Sequence, residues 1–274
     1  MTIFEELFSL KGKTALVTGG AGGIGRMISN ALVQAGAEVM IASRKSEDCI
    51  AAADELNAMA TEISSGGSAI GFGGNVATEK GVEDLVDQVS SRCDRLHILF
   101  NNAGATWGAP MGEFPHHAWG RVLDVNVTGL FSLTQKLLPL LESAGTGSDP
   151  SRVVNIGSVM GSAALGDGAY SYAASKAAVH HLTRILAKEL AHKHITFNAI
   201  APGPFRSKMT AFATDTDEKA NRVGSSVPLG RIGAPNDIAG AALYLCGIGG
   251  AYVTGAILPV DGGIHVETGG ELFS

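Results

Sequence analysis

Tyr172 and Lys176 stand four residues apart in Tyr-Ser-Tyr-Ala-Ala-Ser-Lys-Ala-Ala, and Ser158 precedes the tyrosine by fourteen residues. On a helix, positions i and i+4 share a face, so phenol and ammonium project the same way. A phenol with a pKa of about 10 is a poor proton donor or acceptor at neutral pH unless a neighbouring cation favours phenolate, and Lys176 can supply that cation. The pair is a candidate for proton transfer, although Tyr-x-x-x-Lys also occurs on surface helices that use neither residue. Tyr170 cannot replace Tyr172, because its i+4 partner is Ala174.

A second constellation opens the chain. Thr18 to Gly25 reads Thr-Gly-Gly-Ala-Gly-Gly-Ile-Gly, follows an apolar run and enters a helical pattern. Glycine clusters often do no more than form loops, but between a strand and a helix they make a phosphate-binding turn. Gly19 permits the sharp turn, Gly23 lets the backbone approach a pyrophosphate, and Gly25 allows close helix–strand packing. Nineteen residues beyond Gly25, the second apolar run ends in Ala-Ser-Arg-Lys. A carboxylate there would accept from a ribose 2′-OH and repel a 2′-phosphate. Arg44 instead offers a planar fork of donors, with Ser43 neutral beside it and Lys45 as a further charge, which points to NADP(H). The competing account of Arg44 and Lys45 is a solvated basic loop.

These groups need a scaffold that brings residues 19, 44, 158, 172 and 176 together. Apolar runs of four to six residues alternate with longer helical patterns, the βαβ rhythm of a parallel sheet. Strands are expected at Thr14–Thr18, Glu38–Ala42, Ala69–Gly73, Leu96–Asn101, Val153–Ser158, Thr196–Ala201 and Ala256–Val260, with Ser46 and Thr78 as helix N-caps. The expected fold is α/β, a doubly wound seven-stranded parallel sheet of the Rossmann type, in a single domain over residues 1–274. Residues 143–151 break both periodicities and form a loop. Residues 206–226 read either as a helical flap over a pocket or as an ordinary surface excursion.

Composition narrows the partners. The net charge of −6 argues against nucleic acid or anionic membrane as the main partner, and 45% hydrophobic residues with 37 glycines favour compact α/β architecture. No stretch reaches about 18 uninterrupted apolar residues, and Met1 to Leu10 does not read as a leader, so a soluble, cytoplasmic protein is expected. Cys49, Cys93 and Cys246 are odd in number and widely spaced, as free thiols in a reducing compartment would be. His116-His117, His180-His181 and His192-x-His194 lack supporting cysteines or carboxylates, so partly exposed helix positions are expected and no metal.

Thr-Gly-x-x-x-Gly-x-Gly (18–25), Asn-Asn-Ala-Gly (101–104), Asn126, Ser158, Tyr172-x-x-x-Lys176 and Pro202-Gly203 resemble, in order and spacing, the short-chain dehydrogenase/reductase family. The resemblance runs from about Leu10 to Gly263 and is to its single-domain branch. It implies that Tyr172 exchanges a proton with the substrate oxygen while hydride moves to or from the nicotinamide. Ser158 would hydrogen-bond the same oxygen, Lys176 would lower the Tyr172 pKa and hold the nicotinamide ribose, and Asn126 would order a water beside Lys176. The implied cofactor contacts are Gly19, Gly23, Ile24, Gly25, Ser43, Arg44, Asn75, Val76, Asn102, Gly104, Tyr172, Lys176, Pro202, Gly203 and Phe205. Two departures stand out: Gly22 replaces a basic residue common among NADPH-using relatives, and Asn75 replaces an Asp beside the adenine. The resemblance also implies a homotetramer.

Residues 105–119 and 205–213 follow the fourth and sixth strands and should line the substrate mouth. Trp107, Met111, Leu165, Met209 and Phe212 would make it apolar, favouring a hydrophobic ketone and its secondary alcohol. Asn-Ala-Gly-x-x-Trp-Gly, the polar insert before Arg152 and Ile-Ala-Pro-Gly-x-Phe resemble NADPH-dependent 3-oxoacyl reductases of the rhamnolipid-pathway type, making a 3-oxoacyl thioester a candidate; broad ketone reductases share this scaffold. The alternative from another class is a catalytically silent NADP-binding sensor or scaffold. Such proteins commonly lose Tyr or Lys, and this chain retains Asn126, Ser158, Tyr172 and Lys176.

Overall fold

In a computed structural model the seven apolar runs form one parallel sheet, ordered β3-β2-β1-β4-β5-β6-β7. The structure describes residues 2–165 and 168–266. Residues 1, 166–167 and 267–274, which the expected single domain also covers, lie outside them. The strands are β1 (Thr14–Thr18), β2 (Glu38–Ser43), β3 (Ser68–Gly73), β4 (Ile98–Asn101), β5 (Ser151–Ile156), β6 (Ile195–Pro202) and β7 (Ile257–Val260). Every residue of β5 and β6 is buried, as a sheet covered on both faces requires.

Helices make both covers. The main ones are α1 (Ile3–Phe8), α2 (Gly23–Gln34), α3 (Ser46–Glu62), α4 (Glu79–Ser90), α5 (His117–Leu123), α6 (Leu130–Ala144), α7 (Tyr170–Leu190), α8 (Ala211–Thr214), α9 (Asp217–Gly224) and α10 (Pro235–Cys246). Ile28 and Leu32 of α2, Leu56 of α3 and Ile238 of α10 pack with Val17 and Ile41 in one apolar cluster. Leu85 of α4, Leu133 and Leu137 of α6 and Leu186 of α7 pack with Leu16 and Leu99 in a second. Strand β1 thus sends alternate side chains into opposite layers.

The chain runs outward from β1 to β2 and β3, then returns to β4 on the other side of β1. Where strand order reverses, the connecting loops diverge and leave a crevice at the carboxyl ends of β1 and β4. Gly19 and Asn102, one residue beyond those two ends, flank it.

Two local expectations need correction. Ser46 is the first helical residue of α3 and Lys45 holds the cap position, because the Ser43 hydroxyl donates to the Lys45 carbonyl (3.2 Å) and tightens the turn one residue earlier. Thr78, in contrast, caps α4 by accepting from the Gly81 N–H at 3.2 Å. Strand β5 ends at Ile156, so Ser158 stands beyond the ladder: its hydroxyl accepts from the Met160 N–H (3.2 Å) and starts a short turn. Residues 206–226 hold two short helices, α8 and α9.

Candidate active site

The glycine turn is shaped by exclusion. A Cβ on Gly25 would stand 2.3 Å from the Gly19 carbonyl oxygen and 2.4 Å from the Asn102 amide nitrogen, so only glycine lets α2 start this close to the turn. Gly19 and Gly23 have φ of +66° and +52°, the left-handed region glycine enters without strain. The turn is riveted to β4. The Thr18 hydroxyl donates to the Phe100 carbonyl (3.2 Å) and accepts from the backbone N–H groups of Asn102 and Ala103 (both 3.0 Å). The Asn102 amide donates to the carbonyls of Thr18 (2.8 Å) and Gly19 (3.2 Å). Asn102 therefore holds the cradle together, a use its place in the motif did not reveal.

A cleft of about 330 Å³ follows, with Gly19, Arg44, Asn75, Val76 and Gly104 in its wall. Arg44 is exposed at its rim. The Asn75 side-chain oxygen accepts from Ala77 N–H (3.1 Å), an Asx turn that faces the residue into the cleft wall. A glycine cradle at a helix N-terminus and an exposed guanidinium at the end of β2 suit a dinucleotide with a 2′-phosphate.

Gly104 joins this cleft to the second cluster. A Cβ there would lie 3.6 Å from Asn126 Oδ1 and 4.0 Å from Lys176 Nζ. Asn126 occupies a π-helical stretch, Asp124–Gly129, between α5 and α6. Such a bulge turns one side chain out of the ordinary helical register, often at functional sites. Here Asn126 is 1% exposed, accepts from Ala105 N–H (2.8 Å), and donates to the Ala105 carbonyl (3.0 Å) and the Ser175 hydroxyl (2.9 Å). Ser175 donates in turn to the Tyr172 carbonyl (2.7 Å). Sequence reasoning passed over Ser175; its place directly before Lys176 was the available signal.

Tyr172 and Lys176 share a face of α7 as their spacing requires, with the ammonium 5.5 Å from the phenol ring centre. The electrostatics differ from expectation. Burial pushes the Tyr172 phenol up from its ordinary value, opposed by a hydrogen bond to Ser158. Burial also pulls Lys176 down to about 8. No lowering of the phenol by Lys176 accompanies this rise; the ammonium donates to the Ile156 carbonyl at 2.7 Å.

Of the residues expected to line a substrate mouth, Met111, Leu165, Met209 and Phe212 are 72%, 42%, 39% and 83% exposed. Trp107 is instead held against α5, edge-on to His117 (5.3 Å) and under the Arg121 guanidinium (5.3 Å). Tyr170 packs edge-on against Phe114 (5.3 Å). The 206–226 segment passes over the glycine turn: a Cβ on Gly23 would stand 3.0 Å from that of Ser207, and Lys208 reaches Asp48 of α3 at 3.5 Å. Phe205 requires correction. Its ring is 2% exposed and fills the space left by Gly233, where a Cβ would come within 2.2 Å of it, so only its backbone remains for a cofactor. Pro202 ends β6, and Gly203 passes so close to Asp261 that a Cβ would come within 2.8 Å of its Cα. His180 is buried, against the expectation of an exposed helix position, while His181 is exposed. Among the described residues no group of three His, Cys, Asp or Glu could hold a metal ion, and no helix is long and apolar enough to cross a membrane.

The doubly wound sheet, the glycine cradle at its switch point and a Tyr–Lys pair at the same edge define a dinucleotide-dependent oxidoreductase scaffold. The chain belongs to the short-chain dehydrogenase/reductase family: a family model described as Enoyl-(Acyl carrier protein) reductase matches residues 19–265. It is 44% identical over 259 residues to the rhamnolipids biosynthesis 3-oxoacyl-[acyl-carrier-protein] reductase of Pseudomonas aeruginosa, covering 94% of this chain and 98% of that protein. The 3-oxoacyl-[acyl-carrier-protein] reductase FabG of Thermotoga maritima is 34% identical, over 94% of this chain and 99% of its own. Among solved structures, the Pseudomonas aeruginosa RhlG/NADP active-site complex superimposes with a TM-score of 0.89 at 44% identity, covering 95% and 99% of the two chains. A gluconate 5-dehydrogenase from Burkholderia cenocepacia in complex with NADP and tartrate gives 0.83 at 29% identity, covering 96% and 99%.

Proposed function

We propose that this protein is an NADPH-dependent reductase that interconverts a hydrophobic ketone and its secondary alcohol, with Tyr172 as the acid/base group and a 3-oxoacyl thioester as the leading substrate candidate. The observation that carries the reading is the meeting of Tyr172, Ser158, Lys176 and Asn126 at the strand ends, one glycine away from the dinucleotide cleft. Bound in that cleft, NADPH supplies the hydride. The protein's part is to hold the proton and the oxygen. A phenol pushed up by burial stays protonated at neutral pH and is therefore set to donate in the reductive direction. Ser158 opposes the rise of that phenol from nearby and can steady the same substrate oxygen. Lys176, released from Ile156, would bring its charge to the nicotinamide ribose, and the Asn126–Ser175–Tyr172 chain of hydrogen bonds fixes the start of α7. Arg44 would select the 2′-phosphate.

The exposed apolar side chains of Met111, Leu165, Met209 and Phe212 support an extended, uncharged substrate. A silent NADP-binding sensor would not need four catalytic positions kept in one cluster. Incubating the protein with NADPH and a panel of ketones, including 3-oxoacyl thioesters free and carrier-bound, while following cofactor absorbance tests the reading. Oxidation of NADPH with apolar ketones is expected; binding of NADPH without turnover on any of them would sink it.

The same reading includes a homotetramer built through α6, α7 and the α10–β7 region. Tyr244, Ile248 and Tyr252 expose large side chains there, Tyr252 completely. Light scattering on dilute protein should report four subunits, and a stable, active monomer would refute the assembly without touching the chemistry.

A further inference from the structure

His180 lies one helical turn beyond Lys176 and two beyond Tyr172 on the same face of α7, and it is 3% exposed. Its ring sits beneath the turn that carries Ser158. The Ser158 backbone N–H faces Nε2 at 3.5 Å, and the Ser162 hydroxyl lies 3.1 Å from Nδ1. A backbone N–H can only donate, so Nε2 must be the bare nitrogen and Nδ1 carries the proton, donated to Ser162. Burial first, then the charges of Lys176 and Arg184, holds His180 down at about 4, so the bare nitrogen persists at neutral pH.

The turn is cut to fit this ring. A Cβ on Gly157 would stand 2.2 Å from Nε2, and one on Gly161 would stand 2.8 Å from Cε1. The two glycines that flank Ser158 in sequence therefore leave room for one imidazole between the turn and α7. Neither has a positive φ, so close approach and not backbone conformation is what requires glycine.

We infer that His180 is a positioning residue: it braces the Gly157–Ser162 turn from below and thereby sets where the Ser158 hydroxyl stands relative to Tyr172. The inference rests on the role proposed above for Ser158. His180 itself reaches no substrate; it acts only through the turn, and the same helix that presents Tyr172 and Lys176 thereby places the third group.

The test is a double-mutant cycle between His180→Leu and Ser158→Ala, with His180→Gln and Ser162→Ala as milder probes. His180→Leu should lower kcat by about tenfold or more while NADPH binding changes little, the pattern of a displaced reacting group. In that background Ser158→Ala should lose most of the effect it has in the wild type. His180→Gln, whose amide oxygen can accept from the Ser158 N–H, should recover part of the rate. Ser162→Ala removes only the hydroxyl that pairs with His180 Nδ1, at a residue that is otherwise exposed, so it should fold and give a smaller loss. Equal fold-losses from Ser158→Ala in both backgrounds would overturn the inference. If His180→Leu does not fold, unchanged kcat in both His180→Gln and Ser162→Ala overturns it instead. A wild type inert toward ketones, or a Ser158→Ala variant at full rate, would remove the proposed function along with it; an active wild type with an additive cycle removes only the role of His180.

Discussion

The strand ends and the flap differ in how their side chains are used. At the strand ends, Asn101, Asn102 and Asn126 each donate both amide hydrogens to other parts of the chain. Asn101 bonds Thr134 and Asn155 (both 2.9 Å), Asn102 bonds the glycine turn, and Asn126 bonds Ala105 and Ser175. Asn155 extends the first of these to Thr183 of α7 at 2.9 Å. On the flap, Met209 and Phe212 have open faces; its part-buried ties are local, the Thr210 hydroxyl donating to the Phe205 carbonyl (2.6 Å) and the Thr214 hydroxyl to the Thr210 carbonyl (2.9 Å), and its ion pairs, such as Arg206–Asp217 (2.7 Å) and the long Lys208–Asp48 contact, lie at exposed side chains. Amides that donate both hydrogens within the fold are held in place, whereas exposed ion pairs contribute little. On the proposed function, the strand ends would form a floor that holds the reaction geometry and the 206–226 flap would accept a range of apolar shapes.

That contrast predicts large, rate-specific losses on the floor and small, affinity-specific ones above it. Tyr172→Phe removes only the transferable proton and should cut kcat by about 10²–10⁴-fold, with NADPH affinity by fluorescence titration nearly unchanged. Turnover near wild type would break the proposed mechanism. Arg44→Asp deletes an attraction and adds a repulsion, and should move the NADPH to NADH ratio of kcat/KM by about ten- to a hundredfold toward NADH. A ratio that barely moves would hand selectivity to Lys45 or another group.

The pH profile comes next. With Lys176 at about 8, the ammonium is charged below that pH and is neutralised as pH rises through it, so kcat/KM for reduction should fall on the alkaline side of about 8. Tyr172, pushed in the opposite direction, should ionise only at higher pH and add no fall in that range. A profile flat to pH 9 would mean that Lys176 is repinned when cofactor binds. The smallest effect is expected on the flap: Phe212→Ala should raise KM for a long-chain ketone several-fold, below the loss of about 1.5–3 kcal/mol for a fully buried Phe, with thermal stability altered by no more than about 0.5 kcal/mol. A collapse of kcat in that variant would erase the distinction between floor and flap.

Much of this was legible in one dimension. Hydrophobic runs of strand length repeated seven times define a parallel sheet, because a strand covered on both faces must be apolar along its whole length. The glycine spacing and the four-residue Tyr–Lys interval are local, so backbone geometry alone carries their meaning. What sequence left undetermined is long-range. Whether Ser43 or Ser46 ties the start of α3, and whether Phe205 faces the mouth or the core, depends on which partner arrives from elsewhere in the chain. Gly233 settles the second by leaving a hole that only a ring fills.

The same holds for the charges. Spacing places Lys176 beside Tyr172, but only the tertiary structure supplies the Ile156 carbonyl that accepts a hydrogen bond from its ammonium and the burial that moves the two groups in opposite directions. His180 marks the limit most clearly. As a letter beside another histidine it suggests a surface helix or a metal, and its place under Ser158 depends on glycines 23 and 19 residues earlier in the chain. Periodicity is a property of neighbours and can be read from sequence; desolvation and close approach are properties of pairs distant in the chain, and only folding brings those pairs together.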